Sequence, residues 1–259
     1  WLLGSVVLNY SDDNFDVISS TSYFDRNVDE VEDNSEGTAQ FFSSYFAIDL
    51  NNGAVPGLRS QKERRFTQET RLSFDEGAIL PGLSGTVGVY YQRSYFDFFI
   101  PGISVPALVD AGVEPAYLVE NRLTTHRRDT ALFGELYYEL MPRLTFTVGL
   151  RKYWITSRDD PSLDTGFVLG PEGDDRPGTY SKQTGWIPKA VLSYEIGNQG
   201  NIYASAAKGF RPGGTSQKLP FVCDEDLANI GYTPDDVREY KSDTLWSYEV
   251  GAKSRLAGG

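Results

Sequence analysis

The chain has 259 residues, a formal net charge of -12, and 40% hydrophobic and 14% aromatic side chains. With 36 acidic against 24 basic residues it does not suit a nucleic-acid partner, whose phosphates require clustered Lys and Arg. A single cysteine, Cys223, and a single histidine, His126, exclude an internal disulfide and a His-rich zinc site.

Period-2 alternation predicts nine strands. Residues 2–10 set Leu2, Val6, Leu8 and Tyr10 on one face, and a turn at residues 11–14 leads into residues 15–30, which carry Tyr23, Phe24 and Arg26. After a long polar loop at 31–63, residues 65–75 place Phe66, Thr70, Leu72 and Phe74 opposite Thr67, Glu69, Arg71 and Ser73. A short turn around 77–82 precedes residues 84–99, where Val87, Val89 and Tyr91 alternate with Thr86, Gly88, Tyr90 and Gln92. A second long loop, 100–126, ends at the clearest hairpin. Its first arm, 130–140, sets Leu132, Leu136, Tyr138 and Leu140 against Glu135, Tyr137 and Glu139. Pro142 in the Met141-Pro142-Arg143 turn cannot donate a ladder bond. The second arm, 144–158, sets Leu144, Phe146, Val148 and Leu150 against Thr145, Thr147, Gly149 and Arg151. A third loop, 159–181, separates it from residues 186–196 and 201–210, joined by Gly197-Asn198-Gln199-Gly200. Beyond a fourth loop, 212–239, residues 242–256 set Trp246, Tyr248, Val250 and Ala252 against Ser247, Glu249, Gly251 and Lys253.

Tight turns and long polar loops alternate along this order. In an up-and-down sheet that puts every short connector on one rim and every long one on the other, the plan of an outer-membrane β-barrel. No stretch approaches the ~20 consecutive apolar residues of a spanning helix. Alternation is shared with soluble β-sandwiches, but candidates of roughly 11–16 residues outrun the ~5–6 usual in soluble strands. Aromatics near strand ends (Tyr10, Phe15, Tyr95, Phe96, Tyr153, Trp154, Tyr194, Trp246) fit interfacial girdles; they also fit a sandwich core.

The loops hold the acid runs Asp159-Asp160, Asp174-Asp175, Asp224-Glu225-Asp226 and Asp235-Asp236. They read as solvated tips. Clustered carboxylates also suit Ca²⁺, although no segment has EF-hand spacing. No nucleophile–base pair is present, Glu135 with Glu139 carries no weight among 36 acids, and Arg211-Pro212-Gly213-Gly214 lacks the Lys-Ser/Thr of a phosphate loop. No catalytic residue, metal or cofactor is expected.

Four segments resemble TonB-dependent receptors, the outer-membrane importers of Gram-negative bacteria. They are Arg65-Phe66-Thr67-Gln68-Glu69-Thr70-Arg71-Leu72; Ala131-Leu132-Phe133-Gly134-Glu135-Leu136-Tyr137-Tyr138 running into Leu144-Thr145-Phe146-Thr147-Val148-Gly149-Leu150-Arg151; Tyr203-Ala204-Ser205 through Lys208-Gly209-Phe210-Arg211-Pro212-Gly213-Gly214; and Trp246-Ser247-Tyr248-Glu249-Val250-Gly251-Ala252-Lys253. The resemblance covers nearly all of the chain and weakens in the long loops. It implies an all-β, antiparallel barrel of twenty-two strands with an N-terminal plug domain inside. It further implies import of a scarce nutrient, a ferric siderophore first and a vitamin or saccharide behind it. Energy would come from the inner-membrane TonB–ExbB–ExbD complex pulling on the plug.

Against that plan residues 1–259 supply about nine strands and no plug, TonB box or aromatic C-terminal residue. No signal peptide stands at Trp1. The chain is thus expected to be a partial barrel domain set in outer-membrane lipid. It would reach TonB only through the N-terminal region of its parent protein, and would aggregate through bare edges if isolated. Two rivals stay open: a soluble all-β carbohydrate-binding or hydrolytic domain, and a passive porin-like channel.

Glu69, Arg71, Glu135, Lys189, Arg211, Glu249 and Lys253 are the expected lumen-facing or plug-contacting residues, since an ionised group on the lipid face at midplane costs ~2–4 kcal/mol. Ion pairs and hydrogen bonds with the plug or neighbouring strands are the favoured role, and substrate contact the alternative. Phe41, Phe42, Tyr45, Phe46, Phe98, Phe99 and Phe221 either line a cargo vestibule or pack the loops together.

Overall fold

Alternating apolar and polar side chains commit most of this chain to extended backbone, and a computed structural model describes residues 1–50, 54–170, 172–197, 200–215, 219 and 221–254. In chain order come β1 (Leu2–Ser11), β2 (Phe15–Asp33), α1 (Ser35–Phe46), β3 (Pro56–Phe74), β4 (Leu83–Ile100), α2 (Pro106–Asp110), β5 (Asn121–Met141), β6 (Leu144–Asp159), β7 (Ser162–Asp164), β8 (Asp174–Arg176), β9 (Thr179–Ile196), β10 (Gly200–Arg211), β11 (Gly214–Thr215), α3 (Asp224–Asn229), β12 (Glu239–Tyr240) and β13 (Asp243–Ser254). Nine of them form one antiparallel sheet in the order β1-β2-β3-β4-β5-β6-β9-β10-β13. Each neighbour in the sheet is the next long strand in sequence, so the wall is an up-and-down meander. Of the predicted ninth strand, Arg255 and Leu256 lie outside the described residues, as do Asn198 and Gln199 of the fourth turn.

The strands run further into the loops than alternation predicts. β3 starts at Pro56 instead of residue 65, β5 at Asn121 instead of 130, and β9 at Thr179 instead of 186. The added segments are polar on both faces, so a hydrophobic period is silent there. Charge pairing holds them instead: Arg59 meets Glu32 at 2.6 Å, Arg64 meets Asp25 at 3.2 Å and Arg26 meets Glu63 at 3.4 Å, all between β2 and β3. Opposite charges on facing strands contribute roughly 0.2–1 kcal/mol per pair. At 21 residues, β5 is about 70 Å long at ~3.4 Å per residue, far more than an apolar band of ~25 Å needs.

Cross-strand register gives the sheet two unlike faces. One face carries Val17, Leu72, Val87, Gly134 and Leu150 in a single row, with Tyr138, Phe146 and Leu192 in another. Val148 and Leu150 remain 43% and 45% exposed although they sit mid-sheet. Among the described residues no second sheet or helix covers this face, which removes the main support for a sandwich.

The opposite face is polar, and three glycines on it are roofed by an aromatic from the facing strand. Phe133 lies over Gly88, Tyr153 over Gly185 and Tyr203 over Gly251, each pair in direct register. A Cβ added at Gly185 would meet the Tyr153 hydroxyl at 2.5 Å and one at Gly251 the Tyr203 ring at 2.7 Å. Laying a ring over a glycine repairs the missing side-chain contacts of that position.

The largest apolar cluster sits in the loops. Phe42 of α1, Leu50, Val55, Val105 and Leu108 of α2 are buried together, with Phe46 and Phe167 packed against them. Helix α1 stands where a structureless loop was predicted. Its signal is present at helical spacing, since Ala39, Phe42 and Phe46 fall at i, i+3 and i+7. Ala47 ends the helix in the left-handed conformation at φ 52°. Asp33 precedes it and accepts from the hydroxyl and N–H of Ser35, which hold its carboxyl below the usual range.

One seam in the wall is split. The β6–β9 ladder passes through Pro188 opposite Leu150, but β9 and β10 pair only as far as Lys189 and Ala207. Pro188 has no N–H to give a further rung. β10 then follows β13 to the Arg211–Asp243 pair. Phe210 leans across the gap to stack on Tyr153 at 3.9 Å, and the Gln183 amide accepts from the Gly213 N–H at 3.2 Å.

Candidate functional site

All seven predicted site residues fall on the polar face, by strand parity and register. Each already has a partner within the wall. Glu69 pairs with Arg71 on β3, and Arg71 also lies over the Phe133 ring at 6.0 Å. Glu135 accepts from the Tyr137 hydroxyl at 2.5 Å and from Lys189 Nζ at 2.9 Å. That last bond reaches from β5 to β9 over the intervening β6, and it passes above Gly149, where a Cβ would stand 3.1 Å from Glu135 Oε2. Glu249 accepts from the Tyr203 hydroxyl, Lys253 sits over the Tyr203 ring at 5.5 Å, and Arg211 meets Asp243 at 2.7 Å. The structure therefore brings Glu135 and Lys189 together and joins Glu249 to Lys253 through Tyr203. Arg211 stands apart from both groups.

Arg151 was not singled out by sequence reasoning. Its guanidinium lies 5.2 Å from the Tyr90 ring centre and 5.9 Å from that of Phe133. Alternation puts it on the polar face; no local pattern marks it as a partner of rings on β4 and β5.

Above the wall the loops close on one another. Phe41, Phe42 and Phe46 pack among themselves, and Phe167 and Phe221 join them at centroid distances of 4.9 and 5.7 Å from Phe46. Of the proposed vestibule aromatics, then, these three pack the loops, whereas Tyr45 stays exposed and Phe221 borders a hollow of about 340 Å³. Phe98 stacks on Phe96, and Arg122 lies over Phe99.

A larger cavity, about 1070 Å³, opens beside the split seam between β9 and the β10–β13 loop. Gln183, Tyr180, Asp175, Arg176, Arg238 and Tyr240 contribute to its lining. Two carboxylates near it are far from solvated. Asp164 is fully buried, bonded to Arg176 and to Asn121 Nδ2 at 2.7 Å, and Asp174 is 4% exposed and meets Arg238 at 2.9 Å. The reading of Asp174 as a solvated tip is thereby corrected: the loop buries it against a cation. Asp236, by contrast, lies at the surface, where the Thr233 hydroxyl and N–H hold its carboxyl below the usual range. Among the described residues no group of three or more His, Cys, Asp or Glu is placed to hold a metal.

A two-faced antiparallel wall with long loops on one rim is the geometry to be matched. The family model for the β-barrel of TonB-dependent receptor-like proteins aligns with residues 3–259. The chain belongs to this family. Solved structures agree with that TonB-dependent receptor assignment in fold. The ferric yersiniabactin uptake receptor FyuA of Yersinia pestis superposes with a TM-score of 0.72 at 12% identity, covering 98% of this chain and 33% of that one. The siderophore receptor PiuA of Acinetobacter baumannii gives 0.67 at 14%, covering 98% and 37%. The ferric-catecholate import receptor Fiu of E. coli K12 gives 0.57 at 10%, covering 99% and 38%. The chain thus spans little more than a third of the length of the receptors it matches. Membership indicates an outer-membrane protein of a Gram-negative cell, in a family of transporters and not of enzymes.

Proposed function

We propose that residues 1–259 form part of the barrel wall of an outer-membrane importer that takes up a ferric siderophore, powered by TonB–ExbB–ExbD. The observation that carries this is the sheet's uncovered apolar face opposite a face of linked charges. Lipid suits the first and an enclosed, hydrated lumen the second. Glu69, Arg71, Glu135, Lys189, Arg211, Glu249 and Lys253 would then face the lumen. Because each is already bonded within the wall, they hold neighbouring strands in register and present a fixed polar lining to the plug of the parent protein.

Capture falls to the loops. The cavity beside β9 offers Arg176 and Arg238 with Tyr180 and Tyr240, groups suited to an anionic, ring-bearing cargo such as a metal-loaded chelate. The siderophore receptors of similar fold support that cargo class. Vitamins and saccharides stand behind it. The wall supplies no catalytic group; work is done on the plug, which the TonB complex pulls through the parent's N-terminal region.

The test is growth of a strain lacking the parent gene with ferric siderophores as the only iron source. Loss of uptake of one siderophore class, restored by the gene and abolished again without TonB, is the expected result. Uptake that persists without TonB would favour a passive channel, and uptake unchanged by the deletion would reject the cargo.

A further inference from the structure

Where the outward apolar face gives way to charge, it does so with cations. Register puts Tyr23, Phe66, Arg93, Arg128 and Thr156 in one row, and Asp25, Arg64, Tyr95, His126 and Arg158 in the next row towards the long loops. Both rows lie on the same face as Val87, Val89 and Leu132. Arg93 and Arg128 stand directly opposite each other, an arrangement that like charge makes unfavourable.

Neither arginine side chain has a hydrogen bond or ion pair among the described residues, and the acids nearby are engaged elsewhere. Asp25 holds Arg64 at 3.2 Å, Asp97 holds Arg122 through two bonds of 3.0 Å, and Asp160 holds His126 and Arg158 at 3.2 Å each. A hollow of about 350 Å³ opens here, lined by the rings of Tyr23, Phe66 and Tyr95 and by Arg64, Arg93 and His126.

Height along the wall says what meets it. The eight steps from Gly85 to Arg93 rise about 26 Å along β4 at ~3.3 Å each. At a strand tilt of ~40° that is about 20 Å along the membrane normal, close to the border of a ~25 Å apolar band. The exposed cations therefore stand at headgroup level, on the long-loop side, with an apolar slope directly beneath.

We propose that this face binds the phosphates of an outer-leaflet lipid, a diphosphorylated glycolipid. Its phosphates sit against Arg93 and Arg128, and its acyl chains run down over Val87, Val89 and Leu132. Charge complementarity selects the headgroup: two facing guanidiniums without a protein acid are stabilised together by one bound phosphate. The inference rests on the membrane reading above.

The experiment uses the full-length parent receptor in phosphatidylcholine nanodiscs doped with lipid A, or with lipid A stripped of phosphate. Bound glycolipid per receptor is read by native mass spectrometry. Each cation near an anionic surface strengthens attraction roughly fivefold, so Arg93→Gln with Arg128→Gln should weaken lipid A retention about 25-fold. The Arg93→Lys, Arg128→Lys receptor should keep most of it and serves as the control for folding. Equal retention of phosphate-free lipid, or no loss in the double Gln variant, overturns the proposal. So does displacement of lipid A by inorganic phosphate alone, which marks a free-anion site. Insertion without phosphate preference sinks this inference only; failure to insert into any bilayer sinks the membrane reading with it.

Discussion

Two ion pairs of this chain show how burial changes what a charge is worth. Lys189 and Glu135 are 44% and 28% exposed at the side chain, so their bond should couple by ~1 kcal/mol or less in a double-mutant cycle on the refolded receptor. Asp164 and Arg176 are 0% and 5% exposed. Asp164→Ala leaves Arg176 buried with no acid, which costs ~3–5 kcal/mol. The expected result is faster proteolytic nicking of residues 160–178 in the detergent-solubilised receptor, with Asp164→Asn milder; unchanged nicking would contradict it. The first pair was half legible in the sequence, because alternation assigns Glu135 and Lys189 to the polar face. Their meeting was not, since it depends on Gly149 lying between them. Asp164 and Arg176 were invisible: a buried pair inside a loop has no period to betray it.

At the scale of elements, alternation located all nine wall strands wherever one side of the strand is apolar. It failed at the loop ends of β3, β5 and β9, where both sides are polar and cross-strand charge replaces hydrophobic contrast. α1 was missed because a long polar connector masked a helical repeat of aromatics. The split after Lys189 is readable in hindsight from Pro188, although a proline alone does not say which neighbour it deprives. The glycine–aromatic pairs are also register effects, set by two strands at once. They make a prediction for β9: Gly185→Val drives a branched side chain into the Tyr153 ring and should destabilise the receptor by about 1–3 kcal/mol. Adding Tyr153→Ala should recover part of that loss in thermal unfolding. A Gly185→Val receptor as stable as the parent would mean the ring is not seated there.

For the whole molecule the deciding property is what the apolar side of the wall meets. The sheet holds no substantial core of its own beneath that side; its largest buried apolar cluster lies in the loops. A water-soluble protein with so wide an uncovered band would associate or precipitate, whereas a bilayer supplies the missing layer on every strand at once. The measurement that tests this most directly is spin-label accessibility along β6 in the reconstituted receptor, with Cys223 replaced by Ser and single labels at residues 144–151. Labels at Leu144, Phe146, Val148 and Leu150 should be relaxed strongly by dissolved oxygen, which concentrates in lipid, and those at Thr145, Thr147, Gly149 and Arg151 should not. Labels at Phe146, Val148 and Leu150 that are immobile and closed to oxygen would place protein against this face and contradict the account.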